Sequence, residues 1–442
     1  MATVSADPAC CLTDSRSKVS PPSDEPATTP LSDSDVNKIV ERKLRTKNFR
    51  VLRWSLDSLG ETNGFLGSYY TLSVTVRTDD KSKDFKFFVK TPPPSYSPQY
   101  EFLVRSNTFN KEIIIYDEMI PKLGTGIGPK WVPEFFLGRN NEVMVMEDVT
   151  QEGYANPDKY VPFDDDHCMW LTRTMSALHS RSLIFDEKLR RSTGKTIMDL
   201  YGKLFKESAF IETEIRARTY LYACNLGAKA LVDLVEGFTD EEKTTVKNRL
   251  DRWIVKIPKL MEHPSKYRHV LVHRDVWANN IMIKRDSKGK PIGCHLVDFQ
   301  FIRYSPPAVD FVYSLYLTTN RATRRRCYDS LIELYLDTMR KELAAEGLDI
   351  DECLPRSQFI ESCKEVTPSA IVYAVANMQI MLLSKEAVDR YFVGKSDELE
   401  DVMYGDKRPE LVLSHCHMDI YRTRVLEVIE EVKDHLPDYP NC

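Results

Sequence analysis

The stretch Val270–Ile302, VLVHRDVWANNIMIKRDSKGKPIGCHLVDFQFI, contains His273-Arg274-Asp275, then Asn280 five residues past that aspartate, then Asp298-Phe299 after the apolar run His295-Leu296-Val297. Moving a phosphoryl group from a nucleotide needs a carboxylate near the attacking hydroxyl and two hard oxygen ligands for magnesium. An Asp, an Asn and a second Asp on loops that flank a hairpin can supply all three. Asp275 is read as the catalytic carboxylate, and Asn280 and Asp298 as the metal ligands. Asn279 lacks the spacing. His273 is read as structural support, its imidazole hydrogen-bonding backbone near Asp298.

Upstream, the pattern changes to strands. Val51 to Leu56 alternates apolar and polar residues, as does Tyr70 to Val76; Asp79 to Lys83 is a polar turn, and Phe85 to Val89 forms a third strand. Lys90 ends that strand among apolar neighbours, so its ammonium needs an acceptor: nucleotide phosphates and a helix carboxylate would serve. Pro92-Pro93-Pro94 then blocks continuation of the sheet or an immediate helix. A helix over Phe109–Leu123 follows, with Glu112 as the natural partner of Lys90 and Glu118 and Glu101 left open by the sequence. Two further strands fit Glu134–Leu137 and Glu142–Glu147. Gly64, Gly67 and Ser68 lie between the first two strands, where glycines let backbone amides approach phosphates. Met146, Glu147 and Asp148 end an apolar strand where the sheet gives way to helices, a place for a connector to bind adenine through its main chain.

Residues 1–31 are rich in Ser, Pro, Asp and Thr and are read as disordered. Residues 32–150 read as a five-stranded antiparallel sheet plus helix, and residues 151–442 as mainly helical. The fold class is therefore α+β and bilobal. The 442 residues carry a net charge of −5, with 42% hydrophobic and 29% charged residues, which gives no reason to expect nucleic acid. Arg321–Arg326 reads as a solvated helix face. No run reaches the roughly 18 apolar residues of a membrane span, and no secretory signal opens the chain. The ten cysteines show no CxxC pair, so the expectation is a cytoplasmic protein with reduced thiols.

His273 to Asn280 with Trp277, Met146-Glu147-Asp148, Leu178-His179 and Val297 to Gln300 together resemble the ecdysteroid kinase-like family of the choline and aminoglycoside kinase superfamily, of protein-kinase-like fold. The resemblance covers about Gly60 to Leu317. It implies an ATP- and Mg2+-dependent kinase for a small-molecule alcohol, an ecdysteroid or another apolar one. It also implies Asp275 as base, Asn280 and Asp298 on magnesium, Lys90 on phosphate with Glu112 as its partner, and Asp310 fixing the catalytic loop. Arg274 departs from the Gly frequent in small-molecule relatives. The acceptor is expected in a cleft lined by Phe311, Tyr313, Leu315, Tyr316, Tyr373 and Met378. A choline or ethanolamine kinase is the alternative within the enzyme class; a nucleotide-binding pseudokinase scaffold is the alternative outside it. Asp164-Asp165-Asp166 is read as capping the helix that follows.

Overall fold

The computed structural model describes residues 29–60, 67–79, 81–262, 266–392 and 397–439. The segment read as disordered, and Gly64, lie mostly or wholly outside them. The described chain opens with α1 (Asp33–Leu44), closed at its start by a reciprocal Ser32/Asp35 cap. Five strands follow: β1 (Arg50–Ser58), β2 (Ser68–Thr78), β3 (Lys81–Thr91), β4 (Phe135–Arg139) and β5 (Val143–Glu147). They form an antiparallel sheet in the order β1-β2-β3-β5-β4. Alternation sets its two faces. Leu72, Val74 and Val76 of β2, with Phe87 and Val89 of β3, bury against Val36, Ile39 and Val40 of α1. Phe88 and Lys90 therefore point to the other face.

The connection from β3 to β4 holds more helix than the sequence predicts. After the prolines, α2 (Pro98–Ser106) starts on a Ser97 cap with Pro98 in its first turn, where a missing N–H costs nothing. Asn107, at φ 53°, turns the chain into α3 (Thr108–Ile114). The expected single helix to Leu123 is interrupted by a π turn at Ile115–Met119 before α4 (Ile120–Leu123). Pro121 lacks the N–H that a continuous α-helix would direct at Asp117.

The rest is mainly helical: α5 (Asp165–Thr193), α6 (Ile197–Tyr201), α7 (Ile215–Val232), α8 (Asp240–Ile254), α9 (Ile257–Leu260), α10 (Ala308–Thr318), α11 (Arg321–Ala344), α12 (Ile350–Cys353), α13 (Arg356–Met381), α14 (Lys385–Phe392), α15 (Asp397–Tyr404), α16 (Arg408–His415) and α17 (Asp419–His435). Set among them are β6 (Tyr154–Ala155), β7 (Val270–Val272), β8 (Ile281–Arg285), β9 (Pro291–Leu296) and β10 (Arg303–Ser305). β8 and β9 form the expected hairpin, with β6 on its edge, and β7 pairs with β10. Asp164 caps α5, as expected.

Two readings need correction. Arg321–Arg326 is not a solvated face throughout. Arg324 is buried and its Nη2 lies 2.7 Å from Glu431 of α17, with Arg321 Nε 3.0 Å from the same carboxylate; the helix is docked through these charges. α10 is buried on every side, all eleven residues, because it packs between α5 and α13. Among the described residues no single helix is long and apolar enough to cross a membrane.

Candidate active site

β7 delivers the chain into the loop that carries Asp275. Arg274 adopts φ 71°, a left-handed conformation that costs a side-chain-bearing residue free energy and must be held. Asp310 of α10 holds it, accepting the N–H of His273 at 2.6 Å and of Arg274 at 2.8 Å. Burial alone would raise the Asp310 carboxyl; the hydrogen bond from His179 of α5, at 3.1 Å, and the loop amides keep it below the usual range. His273 Nε2 lies 2.9 Å from the Val297 carbonyl, and its Nδ1 accepts the Asp275 N–H at 3.3 Å. This pattern fits the neutral imidazole, and burial pushes its pKa down.

Asp275 and Asn280 then come together. The Asn280 amide donates to both the backbone carbonyl of Asp275, at 2.9 Å, and its Oδ2, at 2.7 Å. Burial, with Asp298 nearby, pushes the Asp275 carboxyl up to about 7. Val297 donates its N–H to the Asn280 carbonyl at 3.0 Å, so the hairpin itself sets Asp298 beside this loop. Asp298 also takes a left-handed backbone, φ 68°.

Across the cleft, Lys90 Nζ lies 2.7 Å from Glu112 Oε2 and 3.4 Å from Asp298 Oδ1. Burial works against the charge on Lys90, but Asp298 and Glu112 outweigh it and hold the ammonium protonated. Asp298 Oδ1 is buried and faces the Lys90 ammonium alone among the described residues. Asp298 and the Asn280 amide form a sparse hard-oxygen set. That suits magnesium, which keeps several waters and takes its remaining ligands from phosphates. The donor set fits such an ion.

The nucleotide-side candidates are less uniform. Gly67 packs tightly: a Cβ there would sit 3.2 Å from the Thr91 carbonyl oxygen. Ser68 opens β2 opposite Thr91. Met146 is buried opposite Phe88. The Glu147 carboxylate is engaged by Lys130, by Lys43 at 3.3 Å and by the Glu134 N–H, and its own N–H goes to the Glu134 carbonyl. It offers a ligand little but main chain. Asp148 caps the turn that follows. Sequence reasoning missed Tyr69, cross-strand from Lys90 and stacked on Phe88, whose hydroxyl burial pushes up to about 12.

A cavity of about 250 Å³ opens beside Asp275, Asn280 and Asp298. Its walls are largely apolar, with Phe102, Phe210, Trp277, Phe301 and Phe392 among them, and Arg105 and Arg216 also line it. Of the predicted lining, Tyr373 is on the wall. Phe311, Tyr313, Leu315, Tyr316 and Met378 are not: α10 is enclosed by α5 and α13, and α13 presents Tyr373, Asn377, Ile380 and Met381 instead. That i, i+4, i+7, i+8 spacing marks one helix face and is the signal that could have found them.

A five-stranded antiparallel sheet with a buried Lys–Glu pair, set against a helical part that supplies Asp275, Asn280 and Asp298, defines a protein-kinase-like fold of the small-molecule phosphotransferase class. The chain belongs to the Ecdysteroid kinase-like family, which matches residues 61–347. No curated protein matches it. Among solved structures it is similar to the GDP and kanamycin complex of APH(2")-IIia, at 15% identity and a TM-score of 0.36. It is also similar to the GDP complex of wild-type aminoglycoside 2'-phosphotransferase-IIIa, at 16% and 0.36. Each alignment covers 91% of this chain and 99% of that one.

Proposed function

We propose that this protein transfers the γ-phosphoryl group of ATP, with magnesium, to a hydroxyl of an apolar small molecule held in the cavity beside Asp275; an ecdysteroid is one such alcohol. The observation that carries the reading is Asp275 itself, on the boundary between a polar end with Lys90, Asn280 and Asp298 and an aromatic chamber. The acceptor oxygen forms a bond to the γ-phosphorus, the bond to the β–γ bridging oxygen breaks, and the acceptor proton passes to Asp275. Asn280 fixes the Asp275 carboxylate in line, and a carboxyl pKa near 7 suits proton transfer at neutral pH. Lys90, braced by Glu112, holds the phosphates. Magnesium, held by Asn280 and Asp298, would draw charge from the transferring group.

The aromatic walls suit a flat apolar alcohol. Arg105 and Arg216 on the same cavity are ion-paired with Glu214 and Glu400, so the choline or ethanolamine reading is decided by the same phosphotransfer assay. The test is transfer from radiolabelled ATP to a panel of ecdysteroids, other sterols and choline, with Asp275→Asn as control. Label on a sterol-type alcohol, lost in the variant, is expected. ATP–Mg binding with no transfer to any alcohol would favour the scaffold reading instead.

A further inference from the structure

A second pocket, of about 150 Å³, lies behind the active site between the end of α2, the start of α3 and the segment 203–214. Four cations line it (Arg105, Lys111, Lys203 and Lys206) against two acids, Glu207 and Glu214. Both acids are already committed. Glu214 pairs with Arg105 at 3.0 Å. Glu207 accepts the N–H groups of Ser208, Ala209 and Phe210 through Oε1 and pairs with Arg303 at 2.5 Å through Oε2.

Lys111 is the anomaly. The residue is 3% exposed, and its ammonium, which meets the pocket, makes no hydrogen bond or ion pair among the described residues. Burial pushes its pKa down to about 8, and Arg303 and Arg274 add to that, with Glu207 alone opposing. Among the described residues, Arg274 Nε and Nη1 and Arg303 Nε are buried with no acceptor, the Arg274 guanidinium lying over the Tyr313 and Tyr373 rings. Lys111 and the half-buried Arg303 thus share one carboxylate, Glu207, with the Arg274 guanidinium adding its charge beside them. Uncompensated buried charge is strongly unfavourable, and the cavity that opens at Lys111 is where a compensating anion would sit.

We infer that this pocket binds a phosphate-type oxyanion through Lys111, with Lys203 and Lys206 at its rim. The site is separate from the nucleotide cleft and stands independently of the phosphotransfer reading. Its ligand would join α3, which carries Glu112, to the segment whose Ala209 and Phe210 line the acceptor cavity.

The test is thermal unfolding and titration calorimetry of the full chain with inorganic phosphate, against chloride at matched ionic strength, without nucleotide or magnesium. Phosphate is expected to raise Tm saturably and chloride is not. Lys111→Met should weaken phosphate binding at least tenfold. Its Tm in chloride should be no lower than wild type, since it removes an unpartnered buried ammonium. Lys203→Gln with Lys206→Gln, both on the surface, should weaken binding severalfold in a normally folded protein. Phosphoserine run in parallel separates the sources: binding means the pocket admits a phosphomonoester end, and no binding restricts it to the free ion. Equal Tm in phosphate and chloride, or unaltered phosphate affinity in Lys111→Met, overturns the inference.

Discussion

Asn280 grips Asp275 at two points, its side-chain amide donating to the backbone carbonyl at 2.9 Å and to Oδ2 at 2.7 Å. The carboxylate is therefore aimed before any ligand arrives. Aiming it has a cost, because burial and the nearby Asp298 push its pKa up to about 7. Between about pH 4 and 7 the unfolded chain ionises this group while the folded protein keeps its proton. Stability should fall as pH rises through that window. Asp275→Asn keeps the hydrogen bond from Asn280 and removes the ionisation. It is expected to lower turnover about 10³-fold, leave ATP binding largely intact, and raise stability at pH 8 by about 2 kcal/mol. Denaturant melts of both proteins at pH 5 and pH 8 check this; a variant no more stable at pH 8 would remove Asp275 as a strained, buried acid.

The Lys90–Glu112 pair is almost wholly buried, with Lys90 also 3.4 Å from Asp298. Removing one partner leaves the other charge stranded, at about 3 kcal/mol. Lys90→Met should therefore lose both stability and ATP affinity. Adding Glu112→Gln should restore part of the stability but none of the affinity, since the phosphate contact is still missing. A double-mutant cycle read by chemical denaturation and by nucleotide titration separates the two. Additive stability losses would contradict a coupled pair.

Much of this site was legible because its residues are local in sequence or placed by a strict period. The five-residue step from Asp275 to Asn280 spans one loop, and Asp298 follows one apolar strand. Alternation along β3 forces Lys90 to the face opposite α1, and α3, at the start of the helix expected over Phe109–Leu123, brings Glu112 to it. Apart from Tyr373, the lining of the cavity beside Asp275 was not legible. α10 and α13 are both rich in apolar residues, and α10 is buried all round, so no polar face in its sequence shows which side meets a ligand. The same blindness hid Arg324, whose partner Glu431 sits 107 residues away. α2 was missed as a short helix without a long periodic signal.

The cavity assignment separates two aromatic-rich helices by experiment. Met381 lines the chamber, while Phe311 packs against Tyr335 and Phe359 in the core. Met381→Trp should raise the acceptor KM at least tenfold and leave the ATP KM within about twofold. Phe311→Ala should cost about 4 kcal/mol of stability with the acceptor KM little altered. The reverse pattern would put the acceptor on α10.

Away from the site, His295 of β9 is buried face to face with Tyr154, ring centroids 4.2 Å apart, and its Nδ1 has no hydrogen-bond partner among the described residues. Burial and the Lys130 charge push its pKa down to about 4. The unfolded chain takes up the proton near pH 6.5, whereas the folded protein resists it until about pH 4. The contribution is thus intact above pH 6.5 and is lost progressively as pH falls towards 4, by about 2 kcal/mol at pH 4.5. His295→Phe keeps the stack and removes the titration, so its Tm should fall less than wild type's between pH 7 and 4.5, by a few degrees. Parallel Tm–pH curves for the two proteins would mean that His295 titrates in the folded state much as it does in the unfolded chain.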